Sequence, residues 1–352
     1  MRIGMAAICQ NPGAERTDGD VYANELRLAS LAEPLGFDSL WSVEHHFTDY
    51  TMVPDVLQFL SYFAGRTQRI QLGSMVVVLP WHDPIRVAEQ ISLIDHMSGG
   101  RFILGIGRGA GRVEFEGFRV DMGESRERFV EAAEMVLTSL ETGVCEYEGK
   151  FFKQPRKAIR PKPESTFKGR TYAAAVSPES AEIMAKLGIG ILVIPQKPWD
   201  VIDAELAMYR RIYRDVNKAD APKPIIAGWV FCDPDEKRAR ELAVRWIGGY
   251  WETAARHYEF GGEHFAKTKG YEFYAAMSEA QRASAGQATE AYLDLQVWGT
   301  PAMCYDRIVK TADRMNSEHF SCVFSYAGMP YTEAERNLRL FAREVMPKLQ
   351  KI

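Results

Sequence analysis

Cysteine is scarce in this sequence of 352 residues, and the five that occur are widely spaced, at positions 9, 145, 232, 304 and 322. Their number is odd and no C-x-x-C pair is present, so neither a disulfide framework nor a cysteine-based zinc site is indicated. Scattered, unpaired thiols are typical of proteins kept in a reducing compartment. We therefore expect a cytoplasmic protein.

Long apolar segments and clusters of positive charge are missing as well. No run of 18 apolar residues occurs, so no membrane-spanning helix is predicted. The net charge is −4 without a basic run, so neither nucleic acid nor an anionic membrane is an expected partner. The opening residues MRIGMAAICQNPG form an apolar stretch too short for a signal peptide, and they have the pattern of a first β-strand.

Three common catalytic motifs are also absent: the G-x-S-x-G nucleophile elbow, the G-x-x-x-x-G-K phosphate loop and the H-E-x-x-H zinc motif. What is present is the composition of an ordinary globular protein, with 46% hydrophobic and 26% charged residues. A chain of this length can bury a large core as one barrel domain or as two average domains.

Strand-like and helix-like runs alternate along almost the whole chain. The run at 70–79, IQLGSMVVVL, is almost continuously apolar, which is typical of a parallel strand covered by helices on both faces. Eight β-then-α units predict an α/β protein, a single (β/α)₈ TIM-barrel domain over residues 1–352. The predicted strands are 2–8, 37–43, 70–79, 101–106, 171–175, 189–194, 225–231 and 322–325.

Residues 251–300 break this rhythm between the seventh and eighth strands. An aromatic-rich piece (YEFGGEHFAKTKGYEFY) is followed by a polar piece of small residues (SEAQRASAGQATE). Connections of this length are uncommon unless they are functional or disordered. We interpret 251–300 as an insertion, and we predict that residues 260–290 form a mobile lid over the active face.

In a TIM barrel the active site lies at the carboxyl ends of the strands, where Glu44, His45 and His46 follow the second strand. Neighbouring strand residues point to opposite sides, so the two histidines are not expected to bind one metal ion, and no metal site is predicted. Two interpretations remain. Either one histidine packs while the other caps a loop, or one of them is an acid or base near neutral pH.

Each of two further loops can be interpreted in two ways. GIGRGAG at 105–111 fits a dinucleotide fingerprint only weakly. Alternatively, it lets backbone approach a planar ligand while Arg108, joined by Arg126, reaches a phosphate. VSPES at 176–180 places Ser177 at the start of a helix, where it caps the helix or forms half of a phosphate cup with those arginines.

Together these motifs resemble the bacterial luciferase-like flavin-dependent monooxygenases, and the luciferase α subunit in particular. The resemblance extends over essentially the whole chain, and the EHHF signature is more similar to the FMN-using branch than to the deazaflavin (F420) branch. The motifs are GFDSLWSVEHHFTDY (36–50), LGSMVVVLP (72–80), PIRVAEQISLIDHMSGGRFILGIGRG (84–109), ESRERF (124–129), TKGYEF (268–273), VWGTP (297–301) and LFAREVMPKL (340–349).

The resemblance implies a barrel that binds reduced FMN, forms a C4a-(hydro)peroxyflavin with O₂ and transfers one oxygen atom to a small organic substrate. It also implies a separate NAD(P)H:flavin reductase as partner, and a homodimer packed through helices of the N-terminal half. Two alternatives share the fold. One is an F420-dependent oxidoreductase, and the other is a non-catalytic flavin-binding relative.

The resemblance also implies roles for single residues. His45 matches the catalytic histidine and Glu44 the acid beside it. Met75 and Val76 fall where the family often has a non-prolyl cis peptide under the flavin ring. The implied phosphate site comprises Arg108, Arg126, Ala175, Val176, Ser177 and Ser180.

Three positions depart from the luciferase pattern. Gly107 replaces a cysteine near the flavin C4a atom, Gly111 replaces a tyrosine, and Val176 replaces an acidic residue of the phosphate cup. The missing side chain at Gly107 is predicted to open space on one face of the ring. These departures argue against light emission and against a long-chain aldehyde as substrate.

Overall fold

Eight parallel strands close into a barrel in the computed structural model of the chain, which describes residues 1–174, 178–260, 262–272, 274–275 and 288–352. The barrel order follows the chain, and the last barrel strand pairs with both the first and the seventh. The predicted TIM barrel is therefore confirmed. The barrel strands are β1 (Arg2–Ala7), β2 (Ser39–Ser42), β3 (Gln71–Ser74), β5 (Phe102–Gly107), β8 (Thr171–Ala174), β9 (Gly190–Val193), β10 (Ile225–Cys232) and β12 (His319–Val323).

Four further strands accompany the eight of the barrel. A two-residue strand continues the line of β3, and another strand extends the pairing of β10 at its carboxyl end. The remaining two form a separate antiparallel hairpin. These strands are β4 (Val77–Val78), β6 (Val144–Glu148), β7 (Lys153–Ala158) and β11 (Val297–Gly299).

Helices surround the barrel and begin where the sequence supplies a cap. Asp83 accepts a hydrogen bond from the first turn of the fourth helix, which begins at Pro84 and ends at the left-handed Gly99. The helices are α1 (Asp18–Ala29), α2 (Ala32–Leu35), α3 (Val56–Ala64), α4 (Pro84–Ser98), α5 (Arg112–Phe118), α6 (Ser125–Thr142), α7 (Pro178–Leu187), α8 (Trp199–Asn217), α9 (Glu236–His257), α10 (His264–Lys267), α11 (Ala288–Asp294), α12 (Pro301–Met315), α13 (Tyr331–Glu344) and α14 (Met346–Leu349).

The core of the molecule lies between barrel and helices and inside the barrel itself. Every residue of β5 and β10 is buried, as expected of parallel strands covered on both faces. Trp41 is fully buried inside the barrel. It fits because Gly73 lacks a side chain, since a Cβ there would lie 2.3 Å from the indole. None of the helices in the described ranges is long and apolar enough to cross a membrane.

The stretch between β10 and β12 shows how the predicted insertion begins and ends. Helix α9 continues to His257, so the first seven residues of 251–300 are helical, and the last residues form β11. In between, Phe265 and Tyr271 are fully buried against Ala110, Phe115 and Met122. The described aromatic part of the predicted lid is thus packed onto the barrel. Residues 276–287, most of its polar part, lie outside the described residues.

Candidate active site

A deep cavity opens at the carboxyl ends of the barrel strands, where TIM-barrel enzymes place their active sites. It holds about 1470 Å³ of empty space, part of it open to solvent. All eight barrel strands, or the residues that directly follow them, contribute to its lining. The sequence-predicted residues found in that lining are Glu44, His45, Met75, Val76, Gly107, Arg108, Arg126 and Ser180.

Two arginines meet at one end of the cavity. Arg108 follows β5 and Arg126 begins α6, and both donate to the carbonyl oxygen of Gly270, at 2.7 and 3.1 Å. Gly270 has φ +85°, and a Cβ there would lie 3.3 Å from Nη1 of Arg108, so a glycine allows this approach. Two guanidinium groups converging on one oxygen form an arrangement that suits an anion.

Of the four remaining residues of the predicted phosphate cup, only Ser180 lies among the described residues. Ser180 lines the cavity, and its neighbour Glu179 approaches Arg126 at 3.7 Å. Ala175, Val176 and Ser177 lie outside the described residues. Lys267 and Lys269, in the stretch predicted as a lid, pair with surface glutamates.

The floor of the cavity is formed where β3 gives way to β4. The Met75–Val76 peptide bond is cis, as the resemblance implied for this position. A side chain at Gly107 would meet Val76, because a Cβ built there lies 2.3 Å from Val76 Cγ2. The prediction that Gly107 opens free space is therefore wrong, since Val76 already fills that space.

Glu44 is the centre of a first buried hydrogen-bonding cluster. Its Oε1 accepts from Nε2 of His46 at 3.1 Å and Nε2 of His82 at 2.6 Å, and its Oε2 accepts from the backbone of Val78. Burial alone would raise the pKa of Glu44, but these hydrogen bonds hold it below the usual 4.5. Glu44 in turn raises the pKa of His82 above 6.5, against the effect of its burial. The hydrogen bonds of this carboxylate thus go to residues of the cavity wall, and none of those described goes to the His45 ring.

His45 belongs to a second cluster, built on a residue that the sequence analysis did not single out. Its Nδ1 donates to Glu114 Oε1 at 2.9 Å, and Tyr258 OH lies 3.3 Å from its Nε2. Glu114 also accepts from the backbone N–H of His46. The two adjacent histidines thus have different carboxylate partners, as the alternation of strand side chains predicts.

His257, at the end of α9, completes this second cluster. Its Nε2 lies 3.5 Å from Glu114 Oε1, and its Nδ1 is 3.0 Å from Thr48 Oγ1. One nitrogen or oxygen atom from each of His45, Glu114 and His257 lies within 4.8 Å of the others. Burial alone would raise the pKa of Glu114, but the two imidazoles lower it to about 2. The carboxylate is therefore ionised; it accepts a hydrogen bond from His45, and the His257 ring lies beside it without a hydrogen bond to it.

Aromatic side chains form the cavity wall beyond His45. Trp229 and Tyr250 pack with ring centroids 4.0 Å apart, and Tyr250 and Tyr50 share a hydrogen bond between their hydroxyl groups. Tyr258 and Phe260 stack at 5.4 Å. The cavity therefore has a cationic end at the arginines, an acid–base group at its side and an apolar wall suited to organic molecules.

Sequence reasoning missed Glu114, His257, His82 and Tyr258. Glu114 and His257 are 69 and 212 residues from His45 in the sequence, and no spacing rule connects them. A weak signal existed for Glu114, which directly follows the glycine-rich loop at the carboxyl end of β5. His257 lies within the stretch that the sequence analysis assigned to the insertion.

The cavity at the carboxyl ends of the barrel strands has two arginines at one end and the His45–Glu114 pair at its side, and comparison with known proteins gives the family. Residues 1–316 match the family model described as luciferase-like monooxygenase. This chain belongs to that family. The alkanal monooxygenase alpha chain of Photorhabdus luminescens is 25% identical over 358 residues, covering 99% of this chain and 98% of that protein.

Solved structures with the same architecture include the monooxygenase RslO1 from Streptomyces bottropensis. It is 27% identical, has a TM-score of 0.80, and each chain is 99% covered. Two others share the fold at lower identity. The oxygenating constituent of 3,6-diketocamphane monooxygenase from Pseudomonas putida, in complex with FMN, has 17% identity, a TM-score of 0.76 and coverages of 99% and 98%. An F420-dependent secondary alcohol dehydrogenase has 16% identity, a TM-score of 0.72 and the same coverages.

Proposed function

We propose that this luciferase-like oxidoreductase is an FMN-dependent monooxygenase that uses reduced FMN and O₂ to oxygenate a small organic substrate. The observation that carries the proposal is the pair Arg108 and Arg126 at one end of the cavity, joined by an apolar space to His45 at its side. A planar cofactor with a phosphate group fits a cavity that has a cationic end and an apolar middle.

The residues present fit FMN. Nε of Arg126 is buried and has no hydrogen-bond partner within the described part of the chain, so a donor is available at the arginine end. Arg108 and Arg126 would hold the phosphate, and each guanidinium has further donors beyond the one given to Gly270. Met75, Val76 and Gly107 would support the flat ring, since their surface in the cavity is backbone and apolar side chain.

Reduced FMN, when bound, would supply the electrons that activate O₂. The chain's own contribution would be binding, orientation and proton transfer. Glu114 accepts from Nδ1 of His45, which leaves Nε2 of His45 facing the cavity as the atom that takes or gives a proton. The buried aromatic part of the lid, Phe265 and Tyr271, would keep water from the ring.

Anaerobic titration tests the cofactor assignment. Reduced FMN and reduced F420 are each added to the protein, and binding is followed by absorbance and by equilibrium dialysis. The proposal predicts tighter binding of reduced FMN. Tighter binding of F420 would favour a hydride-transfer oxidoreductase instead. Oxygen uptake by the FMN complex no faster than by free reduced FMN, with no substrate converted, would indicate a non-catalytic flavin-binding relative.

We also propose two partners, a separate flavin reductase and a second copy of this chain. A reductase is proposed because the glycine loop after β5 holds Arg108 over the cavity, an arrangement that differs from a dinucleotide-binding βαβ unit. A homodimer is proposed because Tyr62 on α3 and Leu93 and Met97 on α4 are large apolar side chains exposed by 41, 47 and 44%.

A further inference from the structure

The cluster around Glu114 contains one imidazole that the proposed function does not use. His45 lines the cavity, whereas His257 is 6% exposed and is not among the residues that line it. Their ring centroids are 5.0 Å apart at an interplanar angle of 83°. Two histidines therefore face one carboxylate, one from the cavity and one from the protein interior.

We propose that His257 is a positioning residue for His45, which shares the Glu114 carboxylate with it and so sets the pH at which the cavity-facing nitrogen of His45 carries a proton. The role given to His45 itself depends on the proposed function. The coupling between the two rings is a property of the protein alone and can be measured without cofactor.

The hydrogen bonds determine which nitrogen of each ring carries hydrogen. Glu114 is ionised and only accepts, so Nδ1 of His45 holds the proton in that bond and Nε2 faces the cavity. On the other ring, Thr48 Oγ1 can donate to Nδ1 of His257, which leaves the hydrogen on Nε2, 3.5 Å from Glu114 Oε1 and without a hydrogen-bond partner among the described residues. Tyr50 stacks on His257 at 4.5 Å and fixes the plane of that ring.

Gly111 provides the space for this arrangement. A Cβ at Gly111 would lie 2.5 Å from Oε2 of Glu114 and 3.0 Å from Nε2 of His257. Any side chain at this position would therefore displace either the carboxylate or His257. The glycine and the second histidine therefore belong together as one local design of this chain.

The charges around His257 determine whether its ring is neutral or cationic. One carboxylate lies between two imidazoles, and two cations at 5.0 Å would repel each other. Burial, reinforced by His45, lowers the pKa of His257, although Glu114 and Asp49 oppose this. His257 therefore favours its neutral form, and this neutral ring occupies one side of the Glu114 carboxylate at 3.5 Å.

Apart from Asp49, the other ionisable groups named around the cluster either form an ion pair or are uncharged near pH 7. Arg112, on the same helix as Glu114, pairs with Glu259 at 2.6 Å. Burial raises the pKa of both Tyr50 and Tyr258, so both rings stay neutral. Asp49 remains as the nearest further negative charge to His257.

Substitutions of His257 and of Glu114 are expected to shift the titration midpoint of His45 in opposite directions. In H257L the Glu114 carboxylate has His45 as its one imidazole neighbour, so the titration midpoint of His45 should rise by about half to one pH unit, less than a full hydrogen bond to a charged group would give, because His257 Nε2 lies 3.5 Å from Glu114 Oε1. H257Q retains an N–H for Glu114 and should stay within about 0.2 units of wild type. E114Q removes the negative charge and should lower the midpoint by more than about one unit.

Proton NMR of the flavin-free full chain measures these midpoints. The chain has 7 histidines, and the Cε1–H signal of His45 is identified by its loss in H45Q. A rise in H257L, restored in H257Q, supports the proposal, and the same order in the pH profile of coupled oxygenation links it to activity. Equal midpoints in wild type and H257L, or equal shifts in H257L and H257Q, would overturn it. So would stoichiometric Zn²⁺ binding that perturbs both rings in wild type and is lost in E114Q, because the cluster would then be a metal site.

Discussion

Arg108 and Arg126 share one acceptor although they come from different elements, and each is expected to contribute to cofactor affinity. Replacing Arg108 by alanine removes one charge-assisted contact, which is worth about 1.5–3 kcal/mol, so reduced FMN should bind about 10- to 150-fold more weakly. R108K should recover only part of the affinity, because an ammonium cannot reproduce the guanidinium fork. Anaerobic equilibrium dialysis measures the change.

The matched control for Arg108 is Arg112, which lies four residues later, pairs with Glu116 and Glu259 and is not part of the cavity lining. R112A should leave FMN affinity within about twofold. If R108A and R112A bind reduced FMN equally well, the phosphate does not lie at Arg108.

His82 should give the protein a pH-dependent stability through Glu44. Its pKa is raised above 6.5, so its contribution is fully present below 6.5 and is lost as the pH rises through the raised value. The pKa of Glu44 is lowered below 4.5, so its contribution is present above 4.5 and is lost as the pH falls through the lowered value. The pair is therefore most stabilising between 4.5 and 6.5.

In that window H82Q should lower the free energy of unfolding by about 1–2 kcal/mol, and the loss should shrink as the pH is raised toward 9. Urea unfolding at several pH values measures this difference. His96 provides a matched control, since its side chain is also 30% exposed but its nearest carboxylate lies 3.8 Å away on an exposed residue. A pH-independent loss in H82Q, equal to that in H96Q, would show that the pair with Glu44 is not responsible.

At the residue scale, the sequence predicted where the site residues lie better than it predicted which side chains they contact. It placed His45, Arg108 and Arg126 at the active face because strand ends can be located from apolar runs. It did not pair His45 with Glu114 or His257, because those contacts depend on how β2, α5 and α9 pack in three dimensions. It was wrong about Gly107 because side-chain contacts such as that of Val76 cannot be inferred from a missing Cβ alone.

At the element scale, Tyr271 is one of the side chains that anchor α10 and the residues after it to the barrel. This ring is fully buried, its hydroxyl donates to Gly109 at 2.9 Å and lies 3.0 Å from Ser125 Oγ, and Arg108 lies over its face at 4.0 Å. Replacing a large buried side chain by alanine costs about 3–5 kcal/mol. Y271A should therefore release the segment without unfolding the barrel.

Limited trypsin digestion measures this release, because Lys267 and Lys269 have side chains exposed by 72 and 77% in the same segment. Cleavage there should be at least about tenfold faster in Y271A than in wild type, and FMN or phosphate should slow it in wild type. Y62A, which truncates a tyrosine that is already 41% exposed, is the control. Unchanged cleavage in Y271A, or no protection by FMN, would show that the segment is not a lid.

The barrel elements themselves were predictable because each strand is a short apolar run followed by a helix signal. Differences occur where local pattern is ambiguous. The predicted strand 70–79 is divided at Met75–Val76, and the eighth strand begins at His319, three residues before the predicted start. Because Ser317 and His319 are polar, the start of this strand does not stand out as an apolar run. Ser317 is satisfied by the carbonyl of Pro224 and His319 by Ser39, which only the folded barrel brings near.

At the scale of the whole molecule, α3 and α4 present the apolar surface expected of a dimer interface. Leu93 and Met97 are one helical turn apart on α4 and both are exposed. The double substitution L93E and M97E should therefore give a monomer in light-scattering analysis where wild type gives a dimer. The matched control V244E on α9, at an apolar residue exposed by 38% on another face, should leave the dimer intact. A wild-type monomer, or a dimer in both variants, would contradict this interface.

The proposed function requires that one oxygen atom from O₂ enter the product with reduced FMN as the cofactor. Mass spectrometry of products formed under ¹⁸O₂ from a panel of organic substrates, with a flavin reductase regenerating reduced FMN, tests this requirement. A product carrying one ¹⁸O is expected, and its yield should fall strongly in H45A and, at limiting FMN, in R108A. A product formed without ¹⁸O, or turnover supported by reduced F420 and not by reduced FMN, would contradict the proposed function.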